Sequence, residues 1–161
     1  MIAMAMLLDP DVLIADEPTT ALDVTVQAQV LQLMRRLTAE HQAALLLITH
    51  DIGVVWQMCS RIAVMYAGQI VESADAEALF RAPRHPYTRA LLNALPSRNT
   101  RGTRLAAIPG QAPSALQYPS GCRFHDRCPE AFARCPRDIP PLYPTGPGAA
   151  ARCFLNDPES A

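Results

Sequence analysis

Asp16 and Glu17 stand side by side at the end of the apolar run "DVLIAD", and His50 follows a second apolar run, "LLLIT". These residue types suit one chemistry. A hard divalent cation takes oxygen ligands, so one carboxylate can hold it, in part through water. A second carboxylate can orient or deprotonate a water molecule. An imidazole can contact a phosphoryl group in transfer. Taken singly, a strand ending in Asp-Glu is more often a solvated strand end, and a lone histidine is usually structural. Here they occur together, in the order apolar run, Asp-Glu, Pro18, "TALD", helical pattern, apolar run, Thr49-His50, Asp51. That conjunction is far more specific than any of its parts.

A second candidate lies in the C-terminal third. Cys122, Cys128, Cys135 and Cys153 follow the spacing C-x5-C-x6-C-x17-C. Four thiolates suit a closed zinc site or an iron–sulfur cluster, although the C-x2-C knuckle common in zinc sites is absent. Arg123, Arg127, Arg134 and Arg152 adjoin the cysteines and are expected to offset the charge of a thiolate-bound group. The plainer reading is four packed or unpaired thiols. A proline-rich tail, however, has little core to bury them in and needs a staple. Cys59 is expected to be packing, and His125 to be solvent-exposed.

The elements that must carry these residues follow from the hydrophobic pattern. "DVLIAD" and "AALLLITH" are short continuous apolar runs, expected of strands covered on both faces. Between them, Val26, Val30, Leu33, Met34 and Leu37 recur at helical spacing, with Asp23 or Thr25 as the cap. "DIGVVWQMC" is a helix, and "RIAVMYAGQIVES" a hairpin turning at Ala67-Gly68. "DAEALFRA" and "YTRALLNAL" are short helices separated by "PRHP", and "HPYT" could start the second with Pro86 at its first position. The order strand, helix, strand, helix predicts an α/β layer with parallel strands. Ligand sites of such sheets lie at the carboxyl ends of the strands, which is where Asp16, Glu17 and His50 fall. Adjacent acids on a strand point to opposite sides, so the two have separate roles. Residues 1–95 form one region and 96–161 another, joined through "PSRNTRGT". "PTGPGAAA" is read as flexible.

Composition narrows the function classes. Half of the 161 residues are hydrophobic and 18% are charged, as in a globular protein. A net charge of −1 gives no reason to expect a nucleic-acid partner. No apolar run reaches the roughly 18–20 residues of a membrane span. "MIAMAMLLDPD" lacks the basic start of a signal peptide, so a setting in the cytoplasm, or on a membrane through a partner, is expected, where cysteines serve metal or redox chemistry before disulfides.

"VLIADEPTTALDVTVQAQVLQLMRRL" resembles the Walker B and D-loop region of ATP-binding cassette (ABC) ATPases. "LLLITHDIGVV" resembles their H-loop, and "RIAVMYAGQIVE" the strand pair that follows. "LFRAPRHPYTRALLNALP" is similar to the tail of the oligopeptide/dipeptide importer branch. The resemblance implies part of an ABC-type P-loop ATPase core, α/β with parallel strands and flanking helices, plus a small irregular cysteine-rich extension. It implies Mg²⁺ on Asp16, Glu17 as the general base for the attacking water, and His50 on the γ-phosphate of ATP. Thr20–Asp23 would be the D-loop, which crosses to a second ATPase subunit. Two membrane-spanning permeases and a substrate-binding protein are the further partners implied, with the subunit peripheral on the cytoplasmic face of the membrane. The branch carries a cysteine-rich segment associated with a [4Fe–4S] cluster, which ranks that group ahead of zinc.

One part of the family's machinery is missing from these residues. A phosphate-binding loop, G-x-x-x-x-G-K-[ST], needs glycines and a lysine. All fourteen basic residues are arginine, and the first glycine is Gly53. The glutamine loop and LSGGQ-like signature are missing as well, and "MIAMAML" resembles the helix that follows that signature. The expectation is a C-terminal portion of an importer ATPase, inactive by itself. The alternative is a non-catalytic, metal-binding module that associates with transporter subunits.

Overall fold

The computed structural model describes residues 2–95 and 107–160. They fall into two compact units, Met1–Cys59 and Ser60–Ala161. The boundary lies between Cys59 and Ser60. The predicted linker, residues 96–103, is outside the described residues.

In the first unit a short helix α1 (Ile2–Ala5) precedes strand β1 (Val12–Asp16), helix α2 (Val24–Glu40), strand β2 (Ala44–Ile48) and helix α3 (Ile52–Met58). β1 and β2 pair in parallel, Val12 opposite Ala44 through Asp16 opposite Ile48. A parallel pair needs a crossover connection, and α2 supplies it. Of the two candidate caps, Asp23 serves: its Oδ1 accepts the N–H groups of Thr25 at 3.0 Å and Val26 at 2.9 Å. The predicted apolar stripe packs on the sheet through Val30, Met34 and Leu37, which meet Met6, Leu13, Ala15, Leu45 and Leu47. Leu31 also turns inward, whereas Val26 and Leu33 remain exposed.

The expectation of strands covered on both faces is corrected here. Along β1 burial alternates, with Leu13 and Ala15 inside and Val12, Ile14 and Asp16 outside. Leu46 and Ile48, their register partners on β2, are exposed too. One face of the pair rests on α2, and nothing among the described residues of this unit covers the other.

The second unit is built on a four-stranded antiparallel sheet in the order β3-β4-β6-β5. β3 (Arg61–Tyr66) and β4 (Gln69–Asp75) form the predicted hairpin. Its turn residues Ala67 and Gly68 both have positive φ, 48° and 75°, the pattern of a type I′ turn. Helices α4 (Ala76–Arg81) and α5 (Pro86–Asn93) follow, the latter with Pro86 in its first turn as expected. The segment read as flexible is instead a second hairpin, β5 (Tyr143–Gly146) and β6 (Ala149–Ala151). β6 pairs with β4, Glu72 opposite Ala151, and Ala151 is fully buried. Tyr66, Tyr87 and Phe124 stack around Val71 with ring centroids 4.6–5.4 Å apart, so the cysteine-rich segment is anchored in a core through Phe124. The whole is a mixed α/β fold, with a parallel pair in one unit and an antiparallel sheet in the other. No helix among the described residues is long and apolar enough to cross a membrane.

Candidate functional site

The carboxyl ends of β1 and β2 lie side by side, and they bring Glu17 and His50 together. Glu17 is the first residue past β1 and takes a left-handed backbone, φ 47°, a conformation that costs a residue with a Cβ on the order of 1 kcal/mol. Its N–H still donates to the Ile48 carbonyl at 2.9 Å. The turn swings its side chain towards β2, where Oε1 lies 2.7 Å from His50 Nδ1 and Oε2 accepts the Thr20 hydroxyl at 2.9 Å. Asp16, the last residue of β1, stays on the exposed face. The two acids therefore diverge as expected, through a backbone turn rather than strand alternation alone.

The hydrogen bond from His50 holds the Glu17 carboxyl below its ordinary value, and the Thr20 hydroxyl adds to this. Glu17 in turn raises the His50 imidazole. His50 is 81% exposed and Glu17 36%, so water screens the pair and it adds little to stability. Its consequence is orientation. The acid is held by two side chains, with its charged form favoured, at the mouth of the crevice.

The Thr20–Asp23 turn is fixed from both ends. Leu22 N–H donates to the Thr19 carbonyl at 3.2 Å, and Thr19 is buried. Asp23 is placed by its capping of α2, and its carboxylate is engaged there. Asp51 caps α3 through bonds from Gly53 and Val54, while Gln27 Nε2 on α2 reaches its Oδ2 at 3.4 Å. Thr20 belongs to the expected turn, but its bond to Glu17 and the part played by Gln27 add to the site beyond the sequence expectation. Their hydroxyl and amide carry no pattern that a sequence reading could single out.

In the second unit the four cysteines line one cavity, with Phe124, Phe154, His85, Pro86 and Pro140 among its other walls. Two cysteine segments are bound back to back, Cys122 N–H donating to the Cys135 carbonyl at 2.8 Å. Gly121 permits this approach. Its φ is 65°, and a Cβ there would sit 2.3 Å from the Cys135 oxygen. All four thiols are free, and Cys135 and Cys153 are 8% exposed. Burial raises the Cys122 and Cys128 thiols and pushes Cys153 up to about 11. Thiols so raised stay protonated unless a cation displaces the proton.

Among the described residues no group of three or more His, Cys, Asp or Glu side chains is close enough to hold a metal ion as arranged. By the chemistry of its donors the cavity fits a thiolate-bound group: four sulfurs, no disulfide, apolar walls.

None of the arginines beside the cysteines lines the cavity. Arg123 stacks on Tyr118 and donates to the Ala67 carbonyl. Arg127 donates to the carbonyls of Ile108 and Pro109. Arg134 bonds Asp157 at 2.9 Å and covers Phe154. Arg152 donates to the carbonyls of Ile70 and Pro140. They clamp the tail to itself and to the sheet, giving a chain with few apolar residues its cross-links. His125 is not solvent-exposed. Its side chain is mostly buried, with Nδ1 on the Cys122 carbonyl and Nε2 on Asp126. Cys59 ends α3, half-buried.

A family model described as "Oligopeptide/dipeptide transporter, C-terminal region" matches residues 71–135. The dipeptide transport ATP-binding protein DppD of Escherichia coli (strain K12) is 50% identical over 153 residues, 95% of this chain and 47% of that protein. The oligopeptide transport ATP-binding protein AppD of Bacillus subtilis (strain 168) is 48% identical over 161 residues, 100% of this chain and 49% of that protein. The oligopeptide transport ATP-binding protein OppD of Salmonella typhimurium is 49% identical over 154 residues, 96% of this chain and 46% of that protein. The chain spans about half the length of the curated relatives it matches. These matches align the chain with the C-terminal region of the ATP-binding proteins of oligopeptide/dipeptide ABC transporters.

Proposed function

We propose that these residues form the water-activating half of an ATP-hydrolysing subunit that drives import of peptides or similar small solutes. One observation carries the reading: two parallel strand ends juxtapose a carboxylate and an imidazole, Glu17 and His50, 2.7 Å apart. In this reading Glu17 takes a proton from the water that attacks ATP, its ionised form favoured by His50 and Thr20. His50 contacts the γ-phosphate and holds Glu17 in place. Asp16, exposed at the strand end, supplies the oxygen ligand for Mg²⁺, which would neutralise charge on the phosphates. The turn ending at Asp23 faces a second ATPase subunit. The phosphate cradle comes from outside these 161 residues, which contain no lysine. Two permeases and, indirectly, a substrate-binding protein complete the transporter, with the subunit peripheral on the cytoplasmic face of the membrane and no nucleic acid involved.

The cysteine cavity is proposed as the seat of an iron–sulfur cluster, with zinc as the second choice. When bound, the group would cross-link four points of a tail that is otherwise pinned mainly by arginines. Anaerobic purification followed by visible absorption and elemental analysis tests this. Iron with matching sulfide is expected, and a colourless protein carrying zinc contradicts it.

The transport reading is tested by a chimera in which the present chain replaces the matched region of the E. coli dipeptide protein. It is expected to restore dipeptide uptake to cells lacking that protein. A stable chimera that assembles with the permeases yet fails to restore uptake favours the metal-binding module.

A further inference from the structure

Three of the four cysteines come from one loop segment, and the fourth, Cys153, arrives on the stretch that follows β6. Cys153 and the adjacent Phe154 are both buried and both line the cavity. The last backbone bond to the sheet is made by Arg152, whose N–H donates to the Val71 carbonyl at 2.7 Å. Beyond it, among the described residues, the backbone bonds of 153–160 are local, as from Asn156 N–H to the Cys153 carbonyl and from Asp157 N–H to the Phe154 carbonyl. One carboxylate ties this stretch to the rest of the unit. Asp157 Oδ2 accepts both Arg134 Nη1–H and the Tyr143 hydroxyl, each at 2.9 Å. The Asp157 side chain is 8% exposed and that of Arg134 46%. The further side-chain bond, from Asn156 to the Arg84 carbonyl, is long at 3.4 Å. Arg134 adjoins Cys135, and its guanidinium carbon lies 4.2 Å from the centre of the Phe154 ring. Phe132, from the same loop, meets Phe154 edge-on with centroids 6.3 Å apart. Asp157 therefore joins the Cys153 stretch to the Cys135 loop through Arg134, and to β5 through Tyr143.

We propose that Arg134 and Asp157 form a latch that shuts the four-cysteine cavity by holding the Cys153 stretch against the Cys135 loop. Both are positioning residues. Neither is a ligand, since a guanidinium is cationic and both Asp157 oxygens are engaged, Oδ1 by the Glu159 N–H at 3.1 Å. Closed, the latch keeps the Cys153 sulfur among the other three. Opened, it lets that stretch swing out from Arg152, so it sets how readily the cavity takes up and releases a thiolate-bound group. This deepens the cysteine-site reading given above and rests on it.

The latch can be opened from either side. Asp157→Ala removes both bonds, Arg134→Ala removes one of them, and Arg134→Lys keeps a cation beside the carboxylate. The full chain, reduced and stripped of metal, is alkylated with iodoacetamide, and each cysteine is followed by mass spectrometry. In Asp157→Ala the Cys153 rate is expected to rise about three- to tenfold through easier local opening. Cys122 and Cys128, on the loop the latch does not carry, are expected to rise less. Arg134→Ala is expected to raise Cys153 in the same selective way, and Arg134→Lys to restore protection. An unchanged Cys153 rate in Asp157→Ala, a lysine variant as fast as Arg134→Ala, or all four thiols rising by one common factor overturns the proposal. In parallel, wild type and Arg134→Ala are reconstituted anaerobically with iron and sulfide, then challenged with an iron chelator. The variant is expected to lose iron faster, and equal rates overturn the latch. If wild type takes up neither iron nor zinc, the cysteine-site reading fails, while the alkylation pattern still decides whether the latch exists.

Discussion

Glu17 is held by three contacts, each of a different kind. Its N–H bonds across to β2, its Oε2 takes the Thr20 hydroxyl and its Oε1 takes His50. The electrostatic consequence has a definite sign. Glu17 ionises below its ordinary 4.5 and His50 releases its proton above its ordinary 6.5. Both groups are charged between these limits. The attraction is lost as pH falls through the lowered Glu17 value and again as pH rises through the raised His50 value. An NMR titration of the His50 ring is expected to give a midpoint above 6.5, moving back towards 6.5 in Glu17→Gln. A midpoint that does not respond to that substitution would remove the pairing. The residues of this site could be named from sequence because the Asp-Glu and Thr-His pairs each follow an apolar run. The left-handed turn at Glu17 could not, since glutamate has no preference for that conformation.

At the scale of elements, the sheet of the second unit depends on a buried acid. Glu72 closes two backbone N–H groups, those of Arg84 and His85, at the entrance to α5. Replacing Glu72 by alanine leaves the buried His85 N–H without a partner and the part-buried Arg84 N–H to water, and is expected to cost about 1–3 kcal/mol. Chemical denaturation followed by the near-UV signal of Tyr66 and Tyr87 would measure this. A loss well under 1 kcal/mol would mean that the N–H groups find other acceptors. The elements also differ in how plainly the sequence announces them. Helix α2, strands β1 and β2 and the hairpin β3–β4 follow from periodicity, a capping aspartate and a two-residue turn. β5 and β6 do not, because Pro, Gly and Ala carry no alternation, and β6 is held between its hairpin partner β5 and β4, far away in the chain. The same holds for Glu72 and His85. An acid in a β-rich run and a histidine before a proline look like surface residues until the tail folds over them.

For the whole molecule, the two units divide the chemistry. The first carries the carboxylates and the imidazole, and the second carries the thiols. The first is the less complete. Two paired strands are marginal alone in water, and Val12, Ile14, Leu46 and Ile48 leave an apolar face exposed, of the sort that further chain or a partner covers. The second has its own sheet, aromatic core and arginine clamps. The most direct test of the proposed catalysis therefore uses the chimera with the E. coli dipeptide protein, comparing Glu17 with Glu17→Gln in ATP binding and in phosphate release. General base catalysis is worth roughly 10²–10⁴-fold, so the variant is expected to bind Mg-ATP as before and lose at least about a hundredfold in release. Phosphate release at an undiminished rate from Glu17→Gln would contradict the role given to the acid at the end of β1.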